Sequence, residues 1–220
     1  MAILLAIDTS AGTSVALFKN ELLVCEKNFE SNMKHAESIG AAIHAVLAEA
    51  GVRGSEVQRV VVGRGPAPFT GLRVGIGAAV MFTEAAKARL SGVVSLDAIA
   101  LSAFAAGLVA SETVPLLVTT DARRGEVYWA LYSGLGKTGA PERIEGPQVL
   151  KPAALDELLA ARGIHPVTTS QAVSAAAIGE LAIALDRAGQ LEADVTALYL
   201  RAPDAVEPKS PTQFAKKVSS

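Results

Sequence analysis

Cysteine is nearly absent from this chain. Cys25 is the single one in 220 residues, so no internal disulfide can form, and a reducing compartment suits the protein. Histidine is scarce as well, limited to His35, His44 and His165. A helical metal pair needs two ligands four residues apart on one face, whereas His35 and His44 are nine apart and face opposite sides. One thiol and scattered carboxylates are poor material for a transition-metal site, so no metal and no tightly bound cofactor are expected. Neither sign of charge dominates: 20 Lys and Arg against 22 Asp and Glu leave a formal net charge of −2. The basic footprint of a protein that grips RNA by itself is therefore missing.

Long apolar runs are missing too. None approaches the ~20 residues that span a bilayer, and the opening "MAILLAI" stops at Asp8 without the basic flank of a secretory signal. These absences predict a cytoplasmic protein with no membrane partner. No Gly-x-Ser-x-Gly elbow occurs, nothing marks Cys25 as an activated nucleophile, and Glu37, Glu49 and Glu84 read as solvated helix faces. No catalytic residue is expected.

What is abundant is apolar surface. Half the residues are hydrophobic and 19% charged, and the mean hydropathy of +0.36 hints at burial beyond a monomer's own core. Residues 2–8 read as a buried strand ending at Asp8, followed by a small-residue turn from Thr9 to Thr13. "SVALF" (14–18) and "LLVCEKNF" (22–29) read as strands joined at Lys19-Asn20-Glu21. Ala36, Ile39, Ile43, Val46, Leu47 and Ala50 recur at helical spacing, with Gly51 as the stop. "RVVVG" (59–63) is a short strand, 71–89 a second helix and 96–109 a third.

The pattern then restarts. "VPLLVTTDARRGEVYWALY" repeats the plan of "ILLAIDTSAGTSVALF": apolar strand, terminal Asp, short turn, strand. Two copies predict two homologous half-domains with a cleft between them and a mixed α/β class. The expected division is residues 1–100 and 101–200, with helices at 153–161 and 174–188 completing the second half and 201–220 a flexible tail.

Three features carry candidate chemistry. "GRGPAPFTGLRVGIG" (63–77) suggests a phosphate loop, yet Leu72 and Arg73 follow Gly71 where a Walker motif requires Lys and Ser or Thr. Asp8 with Thr9 and Ser10 either caps its own turn or orients phosphate and metal, and both readings stay open. Its counterpart "DARRG", with Asp121 and Arg123, puts bulky side chains where a phosphate cradle wants glycine, although an arginine can still meet phosphate. The helix after the loop is apolar all round, with stripes Gly71/Gly75/Ala79, Leu72/Ile76/Val80/Thr83 and Val74/Ala78/Met81/Ala85. Such a helix must be covered on both sides.

"LLAIDTSAGTSVAL", "KHAESI", "GRGPAPFTGLRVG", "VSLDAIA", "DARRGEVYWALY" and "LYLR" together resemble the TsaB (YeaZ) family of bacterial tRNA threonylcarbamoyladenosine biosynthesis proteins, over residues 1 to about 201. Ala67-Pro68 replaces the family's usual Gly-Ser. The resemblance implies a two-lobed fold like actin, sugar kinases and heat-shock ATPases, built from ribonuclease H-like duplicated halves. It also implies a non-catalytic partner of a TsaD-like paralogue, joined by a TsaE-like ATPase. That complex modifies N6 of adenosine 37 in tRNAs reading codons that begin with A. tRNA would be met only through the complex, the chain alone would homodimerise, and ATP or ADP would lie at the complex interface. The implied partner contacts are His35, Ile39, Ile43, Gly71, Arg73, Val74, Gly75, Ala78 and Met81. Asp8, Thr9, Ser10, Asp121 and Arg123 are the implied nucleotide contacts. A stand-alone kinase-like ATP-dependent enzyme and a plain homodimeric binding module remain the alternatives.

Overall fold

The computed structural model describes residues 2–29, 35–67, 69–109 and 114–201. The expected tail beyond 201 lies outside these residues. Strand β1 (Ile3–Asp8) is buried along its whole length, as a central strand covered on both faces must be. It pairs antiparallel with β2 (Thr13–Lys19), which pairs with β3 (Leu22–Phe29). The β2–β3 link is a two-residue turn, Asn20 and Glu21 at φ 50° and 67°, the left-handed geometry that matches strand twist. On its other side β1 pairs in parallel with β4 (Arg59–Gly63), and β4 with β5 (Arg89–Val93). The sheet order is β3-β2-β1-β4-β5.

The second sheet repeats the plan in shorter form: β6 (Leu116–Asp121), β7 (Val127–Leu135), β8 (Pro141–Leu150) and β9 (Val167–Thr169), ordered β8-β7-β6-β9. This is the duplicated two-lobed architecture of the actin and sugar-kinase class. Among the described residues the second half has one strand and one helix fewer, since no strand follows the last helix.

Among the described residues five α-helices fill the layers. Helices α1 (His35–Ala50) and α2 (Phe69–Ala86) cover one face of the first sheet, where Ile39, Ala42, Val46 and Ala79 meet Leu5, Ile7, Leu17, Val60 and Val62. Gly51, at φ 62°, ends α1 as expected. Helix α3 (Ser95–Ala105) packs Leu96, Ile99 and Ala103 on Leu116, Val118 and Tyr132 of the second sheet. Helix α4 (Pro152–Ala161) covers that sheet's other face through Leu155 and Leu159 on Leu117, Trp129 and Leu131. Helix α5 (Ala175–Arg187) returns to the first sheet and lays Ile178, Leu181 and Ala182 on Leu4, Ala6, Phe18 and Val61. Contact there is close: a Cβ on Gly179 would stand 2.2 Å from the Phe18 ring.

Each half therefore sends its last helix to the other half's sheet. That corrects the expected division in two respects. The boundary at 100/101 falls inside α3, and α5 belongs by packing to the first lobe. Helix α2 also ends at Ala86 rather than 89, since Arg89–Val93 is needed as the fifth strand.

Candidate functional site

The loop from Gly63 into α2 spends its polar groups internally. Arg64 N donates to Val93 O at 2.9 Å, Gly65 N to Ser95 Oγ at 3.2 Å, and Ser95 N returns a bond to Gly65 O at 2.8 Å. A Cβ on Gly63 would sit 1.9 Å from Asp8 Oδ2, so this glycine makes room for the Asp8 carboxylate. Asp8 is 2% exposed. Its Oδ2 accepts from Ser95 Oγ at 2.8 Å, and its Oδ1 accepts from Ser10 N at 2.7 Å. Asp8, implied as a nucleotide contact, is instead sealed beneath the turn with both carboxylate oxygens bonded, because α3 lends it Ser95.

Above that seal lies a cleft cavity of about 240 Å³, lined by Thr9, Ser10, Gly71, Ser95, Thr120, Asp121 and Arg123 among others. The structure brings four of the five expected nucleotide contacts together here and leaves out Asp8. Asp121 Oδ1 accepts from Arg123 N at 2.8 Å, and Arg123 and Arg124 both hold positive φ, 65° and 57°. Among the described residues, no three His, Cys, Asp or Glu side chains gather to hold a metal.

Helix α2 sorts its three stripes by burial. The small stripe faces inward: Gly75 is buried where a Cβ would lie 2.2 Å from Thr9 Oγ1, and Ala79 is fully buried. Gly71 lines the cleft, and its carbonyl accepts from Thr9 Oγ1 at 2.9 Å. Gly71 and Gly75, expected at a partner interface, are therefore internal contacts that let α2 settle on the first turn. Ile39 is a core residue, 7% exposed. Ile43, Val74 and Ala78 are half-buried on the same core cluster. The side chain of His35 lies outside the described residues. Of the expected contacts, Arg73 and Met81 stand exposed, Met81 at 75%. The outward side adds residues that were not among the expected contacts, namely Gly77 and Val80 on α2 and Gly40, Ala41 and His44 on α1. Among the described residues, Gly40 and Gly77 have nothing within 4 Å of a Cβ position, so their smoothness serves no contact there.

Two polar clusters lock the layers. Glu26 on β3 accepts from Ser174 Oγ, Ala176 N and Ser14 Oγ at 2.8, 2.9 and 3.1 Å, placing a carboxylate at the N-terminus of α5. Burial raises its pKa, but these hydrogen bonds together outweigh burial and hold it below the ordinary value. Asp97 of α3 accepts from Tyr132 Oη at 2.7 Å and faces Arg143 at 3.3 Å. Burial pushes the Asp97 carboxyl up despite Arg143.

Comparison with known proteins decides the family. Residues 29–195 match the family model described as "TsaD: tRNA N6-adenosine threonylcarbamoyltransferase". The Escherichia coli tRNA threonylcarbamoyladenosine biosynthesis protein TsaB is 33% identical over 156 residues, 70% of this chain and 64% of that protein. The chain belongs to the TsaB (YeaZ) family. The structure of YeaZ from Pseudomonas aeruginosa superposes with a TM-score of 0.72 at 28% identity, covering 91% of this chain and all of that one. An uncharacterized Mycobacterium leprae protein is 33% identical over 218 residues, 93% of this chain, and the chain spans only 56% of its length. No helix among the described residues is long and apolar enough to cross a membrane.

Proposed function

We propose that this member of the TsaB family works in tRNA threonylcarbamoyladenosine synthesis as a non-catalytic scaffold and activator. It docks a TsaD-like paralogue, with a TsaE-like ATPase joining, and reaches tRNA through that complex. The observation that carries the reading is the outward side of α1 and α2, where α2 exposes Val80 and Met81 beside open-backed Gly77 and α1 presents open-backed Gly40. Small residues beside a protruding apolar anchor suit helix-on-helix docking. The first turn supports the non-catalytic reading, since its carboxylate and the Gly65 amide already have partners inside the fold. By the same reading the chain alone pairs with a second copy through this face, and no metal or tightly held cofactor belongs to it.

Met81→Asp puts a carboxylate at the seam, where an unpaired buried charge is costly. The variant folds as wild type, fails to co-purify with the paralogue, and lowers threonylcarbamoyladenosine in tRNA nucleosides measured by mass spectrometry. Normal co-purification by folded Met81→Asp and Gly77→Leu proteins would remove the docking face from the model, and unchanged tRNA after depletion would remove the pathway.

The cleft supports a second reading. Thr9, Ser10, Asp121 and Arg123 around one cavity could hold ATP or ADP at the complex interface. Metal-dependent ATP turnover by the purified chain would instead make it a kinase-like enzyme.

A further inference from the structure

After α5 the chain doubles back over the first lobe and crosses to the second. Gly92 N donates to Glu192 O at 3.2 Å, and the backbone passes so close that a Cβ on Gly92 would stand 2.2 Å from Asp194 O. Arg64 pairs with Asp194, and Leu198 N donates to Arg64 O at 2.8 Å. Leu191, Val195 and Leu198 with Leu200 each pack on a different core cluster. This stretch is pinned along its length rather than draped.

Tyr199 and Arg201, near its end, join the outer side of α2 to the cleft turn. Tyr199 Oη accepts from Arg73 Nε at 3.0 Å, and the guanidinium carbon lies 5.8 Å from the ring centroid. Arg73 stands on the exposed side of α2, eight residues or about two turns before Met81. Arg201 Nη1 donates to Ala122 O at 3.2 Å, and its guanidinium pairs with Glu126. Ala122 lies between Asp121 and Arg123, both of which line the cleft cavity. Two residues of chain, at most about 7 Å, separate the two anchors, and the half-buried Leu198 and Leu200, packed on the third core cluster, hold that piece in place.

We propose that residues 190–201 are a strap coupling the outer face of α2 to the cleft turn 121–126, so that occupancy of one biases the conformation of the other. This rests on the reading of the α1–α2 face as the docking surface. The shared element is physical: moving Arg73 shifts Tyr199, and Tyr199 carries Arg201 with it. Coupling of this kind is reciprocal, so a ligand that orders the turn tightens docking by the same factor.

Hydrogen exchange of the full chain tests it. The amides of Ala122 and Glu126 close the turn, bonding to Glu126 O and Arg123 O at 2.9 and 3.1 Å, and serve as reporters. Tyr199→Phe keeps the ring and removes the oxygen that accepts from Arg73, and Arg73→Gln weakens the same bond from the other end. Each accelerates exchange at the two reporters about two- to tenfold, the range of one net hydrogen bond, while Arg162→Gln, which breaks the Arg162–Glu145 pair at the end of α4, leaves them unchanged. Adding the paralogue protects α2 and the reporters in wild type, but α2 alone in Tyr199→Phe. Reporters at wild-type rates in both strap variants, or equally fast in Arg162→Gln, would overturn the strap. A paralogue that protects neither α1 nor α2 would overturn the docking reading instead, and the variants of the free chain would still decide the strap.

Discussion

The two strand-to-turn corners are copies with different fates. In each, an Asp at the end of the first strand accepts through Oδ1 from the amide two residues on, Ser10 in one case and Arg123 in the other, at 2.7 and 2.8 Å. This is the local turn that Asp forms almost anywhere. Their surroundings differ completely. Asp8 is buried under Gly63, Ser95 and α2, whereas the Asp121 side chain is 65% exposed beside an ion-paired Arg123. Among the described residues no helix covers the second turn as α2 covers the first, and Arg201 reaches it from beyond α5 to Ala122 O and Glu126. Duplication preserved the local geometry, and the cover decided whether it became core or rim.

Changes that attack the cover should have the largest effect. Gly63→Ala pushes a methyl toward Asp8 Oδ2 and Ser95 Oγ, and Gly75→Leu overfills the space beside Thr9. Each should lower stability by ~1–3 kcal/mol, the usual cost of overpacking, read from urea melts of the isolated chain. Wild-type melts for both would mean that the first turn is no more sealed than the second.

The aspartates themselves give the direct comparison. Asp8→Ala strands Ser95 Oγ and Ser10 N and should cost about 1–3 kcal/mol. Asp121→Ala, on the surface, should stay within about 0.5 kcal/mol. Equal losses would erase the distinction between core turn and rim turn.

The Glu26 lock sharpens the comparison from another side, since it fastens the crossing helix α5 to the first lobe. Its folded pKa is depressed, so its stabilisation is full above the ordinary glutamate value and fades as pH falls through the folded value. Glu26→Gln should therefore melt earlier than wild type at pH 7, with the gap narrowing in acid. A gap that widens on acidification would reverse the sign assigned here.

The smallest effect on stability belongs to the outward face. Met81→Asp should leave the melt within about 0.5 kcal/mol of wild type, although it abolishes docking in a pull-down. A large loss of stability would show that Met81 is held by contacts of the folded chain.

Local signals carried the first lobe. β3 and β4 fall at 22–29 and 59–63 as their apolar runs and turn residues predict, and α1 ends at Gly51. The missed strands had weak signals for physical reasons. "RLSGV" of β5 contains Gly and Ser, "PERIEGPQVL" of β8 is a mostly polar edge, and β9 has three residues. The loop sequence excluded a Walker site, and the family motifs placed candidate contacts on α2, but periodicity alone could not orient that helix. Leu72 and Met81 look alike in an apolar pattern, yet one is fully buried and the other 75% exposed.

The sequence by itself determined what is written in neighbouring residues: the paired Asp-ended strands, the glycine-rich entry to α2, and the scarcity of metal ligands and nucleophiles. Those follow from backbone preferences and side-chain chemistry that act over a few positions. Only the tertiary structure decided that α3 and α5 cross to the opposite sheets, that Asp8 is sealed while Asp121 is open, and that Gly75 serves Thr9 rather than a partner. Each of these depends on which surface arrives from a distant part of the chain, as with Ser95 reaching Asp8 or Ser174 reaching Glu26. Burial is a property of the neighbours that assemble around a residue, and no local pattern specifies them.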